Sequence, residues 1–254
     1  MTSISVDVLL KEVETLARKC SQHGQLYFVQ NFLTVLNNVL RDMVGLDSIP
    51  LAPLDRFIDN DKLFENTHDK KNYLALEVKI LLTMTHSFYM RDLAKAEKMA
   101  SLFADSHQTD RPVFNHIIIS FYAGLVACHF GRKTRELAWK TKVEHFIKRI
   151  DMARAHSSWN FENKYLLLKA EYHHTAGESS DAEKCYNESI ASAKRHKFIH
   201  EEALGYELAG YFYKEQGDEV ESEKMLKHAH EAYSKWGAMK KAQSLLKMET
   251  GTDQ

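Results

Sequence analysis

Proline is nearly missing from this chain: its 254 residues include 3 prolines and only 10 glycines. Sandwiches and barrels need many tight turns, and tight turns draw on both residue types. The scarcity therefore argues against turn-rich β folds and favours long helices. Cysteine is as sparse. Cys20, Cys128 and Cys185 are far apart and odd in number. They form neither a disulfide framework nor a zinc-ligand spacing, and they point to a reducing, cytoplasmic setting. Neither sign of charge is in excess. The formal net charge is −1, so no global field steers the chain toward nucleic acid or an acidic membrane, and both are set aside as main partners. Long apolar runs are missing too. The most apolar stretch, Ile117 to Cys128, is broken by Ser120, Tyr122 and Gly124, and it falls short of the roughly 20 residues that cross a bilayer. No basic end followed by a long apolar run opens the sequence, so no leader peptide is expected.

What is present is helical periodicity. Val6, Leu9, Leu10, Val13, Leu16 and Ala17 fall on one helix face, as do Phe28, Phe32, Val35, Leu36 and Val39. Trp139, Val143, Phe146, Ile147 and Ile150 repeat the stripe, and so do Ala182, Cys185, Tyr186, Ser189, Ile190 and Ala193. No segment alternates as a strand does. The breaks carry helix-stop chemistry. Gly177 precedes Ser179, Ser180 and Asp181, and Gly217 precedes Asp218, which is the order of a C′ glycine followed by an N-cap. Gly131 is expected to separate a helix ending near Phe130 from one beginning near Thr134. The stretch from Gly45 to Lys71, with Pro50 and Pro53, is expected to be a loop with one short helix near Leu54 to Asn60.

Three segments echo one another: Ala96-Glu97-Lys98-Met99-Ala100, Ala182-Glu183-Lys184-Cys185-Tyr186 and Ser222-Glu223-Lys224-Met225-Leu226. Each follows a turn, at Arg91-Asp92, Gly177 or Gly217. Aligned on those turns and on Gly131, the period is roughly 40 to 46 residues, the length of a helix-pair repeat. A pair of that size cannot bury both apolar faces alone, so it stacks on the next pair. A small residue five positions after the turn (Ala96, Ala182, Ser222) lets the second helix approach the first. The pattern resembles the tetratricopeptide (TPR) repeat, with a longer period and without its signature Trp and Pro.

The expected fold is all-α. The resemblance implies a right-handed α-α superhelix, a TPR-like solenoid of stacked antiparallel helix pairs. An N-terminal helical pair plus loop would occupy 1–70. Repeats would occupy about 71–111, 112–158, 159–198 and 199–236, followed by a terminal helix to 248, all in one continuous solenoid.

A narrower resemblance lies between Trp159 and Leu246. Asn163-Lys164-Tyr165-Leu166-Leu167, Phe198-Ile199-His200-Glu201-Glu202-Ala203-Leu204, Glu207-Leu208-Ala209-Gly210 and Trp236-Gly237-Ala238 together resemble a helical region found in large multidomain signalling kinases. Those proteins carry a Ser/Thr-kinase-like domain and an AAA-type ATPase domain first. The TPR-like region follows, and then GAF and histidine-kinase or cyclase domains. More weakly, the resemblance extends over Gln25 to Phe130. It implies a non-catalytic protein–protein interaction scaffold in signal transduction. The alternative is a fragment of a larger ATPase, histidine-kinase or cyclase enzyme whose catalytic domains lie outside this chain. The sequence has no Gly-x-x-x-x-Gly-Lys-Ser/Thr loop and no kinase Gly-rich, His-Arg-Asp or Asp-Phe-Gly motif, so no catalytic residue and no cofactor are expected within it.

By the TPR analogy, the first helix of each pair lines a concave groove. This makes Lys164, Leu167, Glu171 and His174 in one repeat, and Glu207, Tyr211 and Lys214 in the next, the candidate residues for a protein or peptide segment. An ordinary solvated surface would read the same way. His196 and His200 stand four apart, but Lys197-Phe198 is expected to be a helix junction, which leaves surface or capping histidines rather than a metal pair. His173-His174 and His228/His230 diverge around a helix. The segment Arg132 to Arg154 is the most basic and could serve acidic lipid, nucleic acid or a calmodulin-like protein, although its apolar stripe is the one a stacked helix needs. Cys128 and Cys185 fall in apolar stripes and read as buried, inert thiols.

Overall fold

The computed structural model describes residues 4–49, 51, 73–105, 114–134 and 138–249. The short helix expected near Leu54 to Asn60 lies outside them. Among the described residues every regular element is a helix. Helix α1 is Val6–Gln22. Helix α2 runs without a break through Leu26–Phe28, a π-helical turn Val29–Leu33, and Thr34–Val44. Then come α3 (Tyr73–Tyr89), α4 (Leu93–Asp105), α5 (Phe114–Thr134), α6 (Ala138–His156), α7 (Ser158–Ala176), α8 (Ser179–Arg195), α9 (Ile199–Glu215), α10 (Glu219–Trp236) and α11 (Met239–Glu249).

Neighbours in sequence pack as antiparallel pairs: α3 with α4, α5 with α6, α7 with α8, and α9 with α10. The first helices also pack on one another, α3 on α5, α5 on α7 and α7 on α9, so they form one continuous inner layer. Their partners lie outside it. Ala96, Ala182 and Ser222, the small residues that echo in the sequence, are all buried where the second helix of a pair meets the first. There the Ser222 hydroxyl donates to the Gly210 carbonyl at 2.9 Å.

The turns repeat more regularly than the sequence suggests. Gly177, Lys197, Gly217 and Gly237 all have positive φ, at 79°, 61°, 80° and 92°, and they stand 20 residues apart. Each makes the same paired bonds: Glu178 N–H to the His173 carbonyl and Gly177 N–H to His174, then Phe198 to Ala193 and Lys197 to Lys194, then Asp218 to Tyr213 and Gly217 to Lys214, then Ala238 to Tyr233 and Gly237 to Ser234. This left-handed cap satisfies the last carbonyls of a helix and reverses the chain. One cap per 20 residues means two helices per 40.

Gly131 is a correction to the sequence-based expectation. It is a residue of α5, not a turn. A Cβ there would lie 2.5 Å from the Trp139 ring, so its missing side chain makes room for the first turn of α6. The helix it belongs to spans 21 residues and is long and apolar enough, by length and composition, to cross a membrane. Here α3, α4, α6 and α7 surround it, and a helix that is apolar all round is one buried on every side.

The two ends of the stack meet. Helix α2 packs on α1, α3 and α11. A Cβ on Gly237 would touch Val6 at 3.5 Å, and Lys240 pairs with Asp42 at 2.5 Å. Across the interior, the Tyr89 ring of α3 lies 6.0 Å from both Tyr233 and Trp236 of α10. The Tyr89 hydroxyl also donates to the His200 carbonyl at 3.3 Å. The space an open groove would occupy is therefore largely filled.

Candidate binding pocket at the ends of the inner helices

Because the interior is filled, the seven predicted groove residues do not line one open channel. Leu167 is in the apolar core. Lys164 is buried and pairs with Glu201 at 2.6 Å. The Glu201 carboxylate also accepts from the Asn163 amide at 2.5 Å, and Lys164 and Glu201 line an apolar cavity of about 270 Å³ together with Leu40, Leu81, Tyr122, Phe198 and Trp236. Burial alone would raise the Glu201 pKa, but Lys164 and His200 overcome it and hold the carboxyl well below its usual range.

Glu207 is 1% exposed, and it accepts from Lys241 Nζ at 2.6 Å, Tyr233 at 2.7 Å and Tyr211 at 2.9 Å. It is a buried anchor for α11 rather than a groove residue. Burial lowers the Lys241 pKa against the pull of Glu207.

The other four, Glu171, His174, Tyr211 and Lys214, do come together. With Arg91, His129, Arg132, Leu208 and Glu215 they line a second cavity, also about 270 Å³. It lies at the C-terminal ends of α5, α7 and α9, with Arg91 reaching in from the turn between α3 and α4. The floor is an internal network. Arg132 donates to Glu171 at 2.8 Å and to the Thr175 hydroxyl at 3.0 Å, and the Tyr186 hydroxyl donates to the other Glu171 oxygen. His174 Nε2 meets Glu215 at 3.0 Å. Burial pushes the Glu171 pKa up, and Arg132, His174 and Tyr186 more than reverse it, so the carboxyl is held below its usual range. The same carboxylate holds the Arg132 guanidinium firmly charged against the opposing effect of burial.

Above this floor, the Arg91 guanidinium stacks over the Tyr211 ring, 4.7 Å from its centroid. Tyr211 passes its own hydroxyl proton toward Glu207. Among the described residues neither Arg91 nor Lys214 forms an ion pair with a carboxylate. His129 Nε2 is buried without a hydrogen-bond partner. Its pKa is lowered to about 4, by burial first and then by Arg91, Lys133 and Arg132.

Arg91, His129, Arg132 and Glu215 were not among the predicted site residues. One signal was in the sequence: Arg91 stands at the turn position that Gly177 and Gly217 fill in sister repeats, and in the structure its φ of 62° is the left-handed cap conformation those glycines adopt. A non-glycine residue there accepts backbone strain, and a side chain with work to do is one reason to accept it.

The remaining candidates are dispersed. His196 caps α8 and stacks on Trp159 at 4.4 Å, while His200 opens α9 against Trp236, so the two lie on different helices with Lys197-Phe198 between them. His173 pairs with Glu178 at 2.5 Å in the α7–α8 turn, where Asp181 also brings a carboxylate near. In the basic segment, Arg132 is turned to Glu171, and Arg154 to Asp151 and Glu162, while Lys140, Lys142 and Lys148 are exposed. Cys128 is fully buried and its thiol pKa is raised by burial and then by Glu171, which removes its nucleophilic form. The chain matches no known protein family, no curated protein and no solved structure.

Proposed function

We propose that this chain is a non-catalytic interaction scaffold, a right-handed TPR-like superhelix of the kind the sensor kinases carry, which holds a segment of another protein in the cytoplasm. The observation that carries this reading is the convergence of Glu171, His174, Tyr211 and Lys214, from two successive first helices, on one charged pocket. Equivalent ends of repeated helices meeting at one place is how a repeat stack makes a composite surface that no single repeat has. Two buried ion pairs outside that pocket, Glu207–Lys241 and Glu201–Lys164, are matched within the chain, which supports a structural rather than a chemical use for them.

The test is fluorescence polarisation of the purified chain against a library of labelled peptides about 15 residues long, drawn from signalling proteins of the same cell and including phosphorylated forms. Binders with Kd in the micromolar range, weakened by Lys214→Glu at unchanged Tm, are expected. No peptide binding tighter than about 1 mM would overturn the reading.

A further inference from the structure

The apolar cavity of about 270 Å³ lies at the N-terminal ends of α5, α7 and α9, the end of the inner layer opposite the charged pocket. Helices from both ends of the chain wall it: Leu40 of α2, Leu81 of α3, Ile118 and Tyr122 of α5, Phe198 ahead of α9 and Trp236 of α10. Protein interiors are close-packed and leave few voids wider than a water molecule. This one has room for several waters, at about 30 Å³ of liquid each, but its lining is mostly carbon. A water is held only where about two to four polar groups meet it. An apolar molecule that displaces loosely held water gains affinity.

Size and charge together define the ligand. An apolar cavity of about 150 Å³ in an unrelated protein takes up benzene, so one of about 270 Å³ accommodates two fused rings. The charged side chains among the described lining residues are matched inside the chain. Lys164 meets Glu201 at 2.6 Å, His200 lies 3.5 Å from the same carboxylate, and His86 meets Asp42 at 2.8 Å. Three helix dipoles present their positive ends here, and Glu201 in the first turn of α9 answers them. An anionic ligand would find Lys164 taken, and a cationic one would find Glu201 taken. Either would be an uncompensated charge in an apolar space. Thr85 and Asn115 add neutral polar groups to the same lining, enough to orient one hydroxyl or carbonyl.

We propose that this cavity binds a small uncharged molecule of about two fused rings that carries one hydrogen-bonding group. Because α2 and α10 both wall the cavity, the bound molecule ties the first helices to the last and stabilises the stack. Peptide binding at the charged pocket can fail without touching this site.

The probes are three naphthalenes of nearly equal size that differ in charge: neutral 2-naphthylmethanol, anionic 2-naphthoate and cationic 2-naphthylmethylammonium. Each is titrated into the full chain by calorimetry near neutral pH. The neutral probe is expected to bind with Kd below about 100 μM and to raise Tm. Each charged probe is expected to bind at least about tenfold more weakly. Ile118→Phe and Leu81→Phe add ring volume to the cavity from two different helices. Both are expected to fold with Tm at or above that of the parent, and each to weaken the neutral probe at least about tenfold. The proposal fails if the neutral probe binds more weakly than about 1 mM, if either charged probe binds as tightly, or if a folded Phe variant keeps the parent's affinity. If the neutral probe binds only once residues 52–72 are replaced by a glycine–serine linker, the chain's own segment is the occupant and the proposal is overturned. The three-probe comparison uses the parent chain alone, so it decides the matter even where neither substitution folds.

Discussion

At the scale of single residues, the interior is held by ion pairs that the sequence does not advertise. Lys241 is 0% exposed and Glu207 1%, and their contact at 2.6 Å joins α11 to the middle of α9. Removing one member leaves the other as a buried, uncompensated charge. Lys241→Ala is therefore expected to cost about 3 to 5 kcal/mol, measured by urea unfolding, and Lys241→Met combined with Glu207→Leu should recover most of that loss. A loss under about 1 kcal/mol for the single variant would mean that water reaches Glu207. His129 gives a pH signature. Its folded pKa of about 4 lies below its ordinary 6.5, so between those values the unfolded chain binds more protons than the folded one. Stability from this residue is complete above pH 6.5 and is lost as pH falls toward 4. After discounting for the part of the ring that water reaches, the loss is on the order of 1 to 2 kcal/mol. His129→Gln should flatten the stability profile between about pH 6.5 and 5, a window above the acid loss expected from Glu171 and Glu201, whose pKa values are lowered from 4.5. A profile unchanged by the substitution would show that the ring titrates normally.

At the scale of elements, apolar periodicity and cap residues located the helices well, because both are local. Scarce Pro and Gly, the stripes, and the Gly177 and Gly217 breaks all act within a turn or two of chain. What escaped was set by contacts between helices. Gly131 looks like Gly177 in the sequence, since both follow a long run without a proline. One has positive φ and ends a helix, while the other stays helical under Trp139. Lys197, a fourth cap of the same 20-residue series, was hidden because it is not glycine. Gly131→Ala separates the two roles. Helix propensity alone would make it stabilising by up to about 1 kcal/mol, whereas displacement of Trp139 makes it destabilising by about 1 to 3 kcal/mol. We expect the second, seen as a lower Tm together with altered Trp fluorescence as the Trp139–Tyr172 contact at 5.5 Å is disturbed. The candidate site was legible to the same degree. Glu171, His174, Tyr211 and Lys214 follow from helix register within one chain segment. Arg91 is distant from them in sequence, and only the packing between helices places it over Tyr211.

At the scale of the whole molecule, packing of the last helix on the first ones couples the two ends of the chain. Helix α11 rests on α2 as well as on α10. Asp42 of α2 receives both Lys240 of α11 at 2.5 Å and His86 of α3 at 2.8 Å, and burial, which would raise its pKa, is outweighed by those two partners. In an open repeat array each unit touches only its neighbours, so loss of one end is felt locally. Here the ends are neighbours in space. A chain ended after Ala238 is expected to lose amide-exchange protection in two separate places: at α9 and α10, where Glu207 loses Lys241, and at α2, about 200 residues away in sequence, where the packing partner is gone. Exchange mass spectrometry on the two chain lengths measures this directly. Loss confined to α9 and α10, with α2 as protected as before, would mean that the contact between the ends adds no stability, and that the stack behaves as an open array whose inner surface can widen.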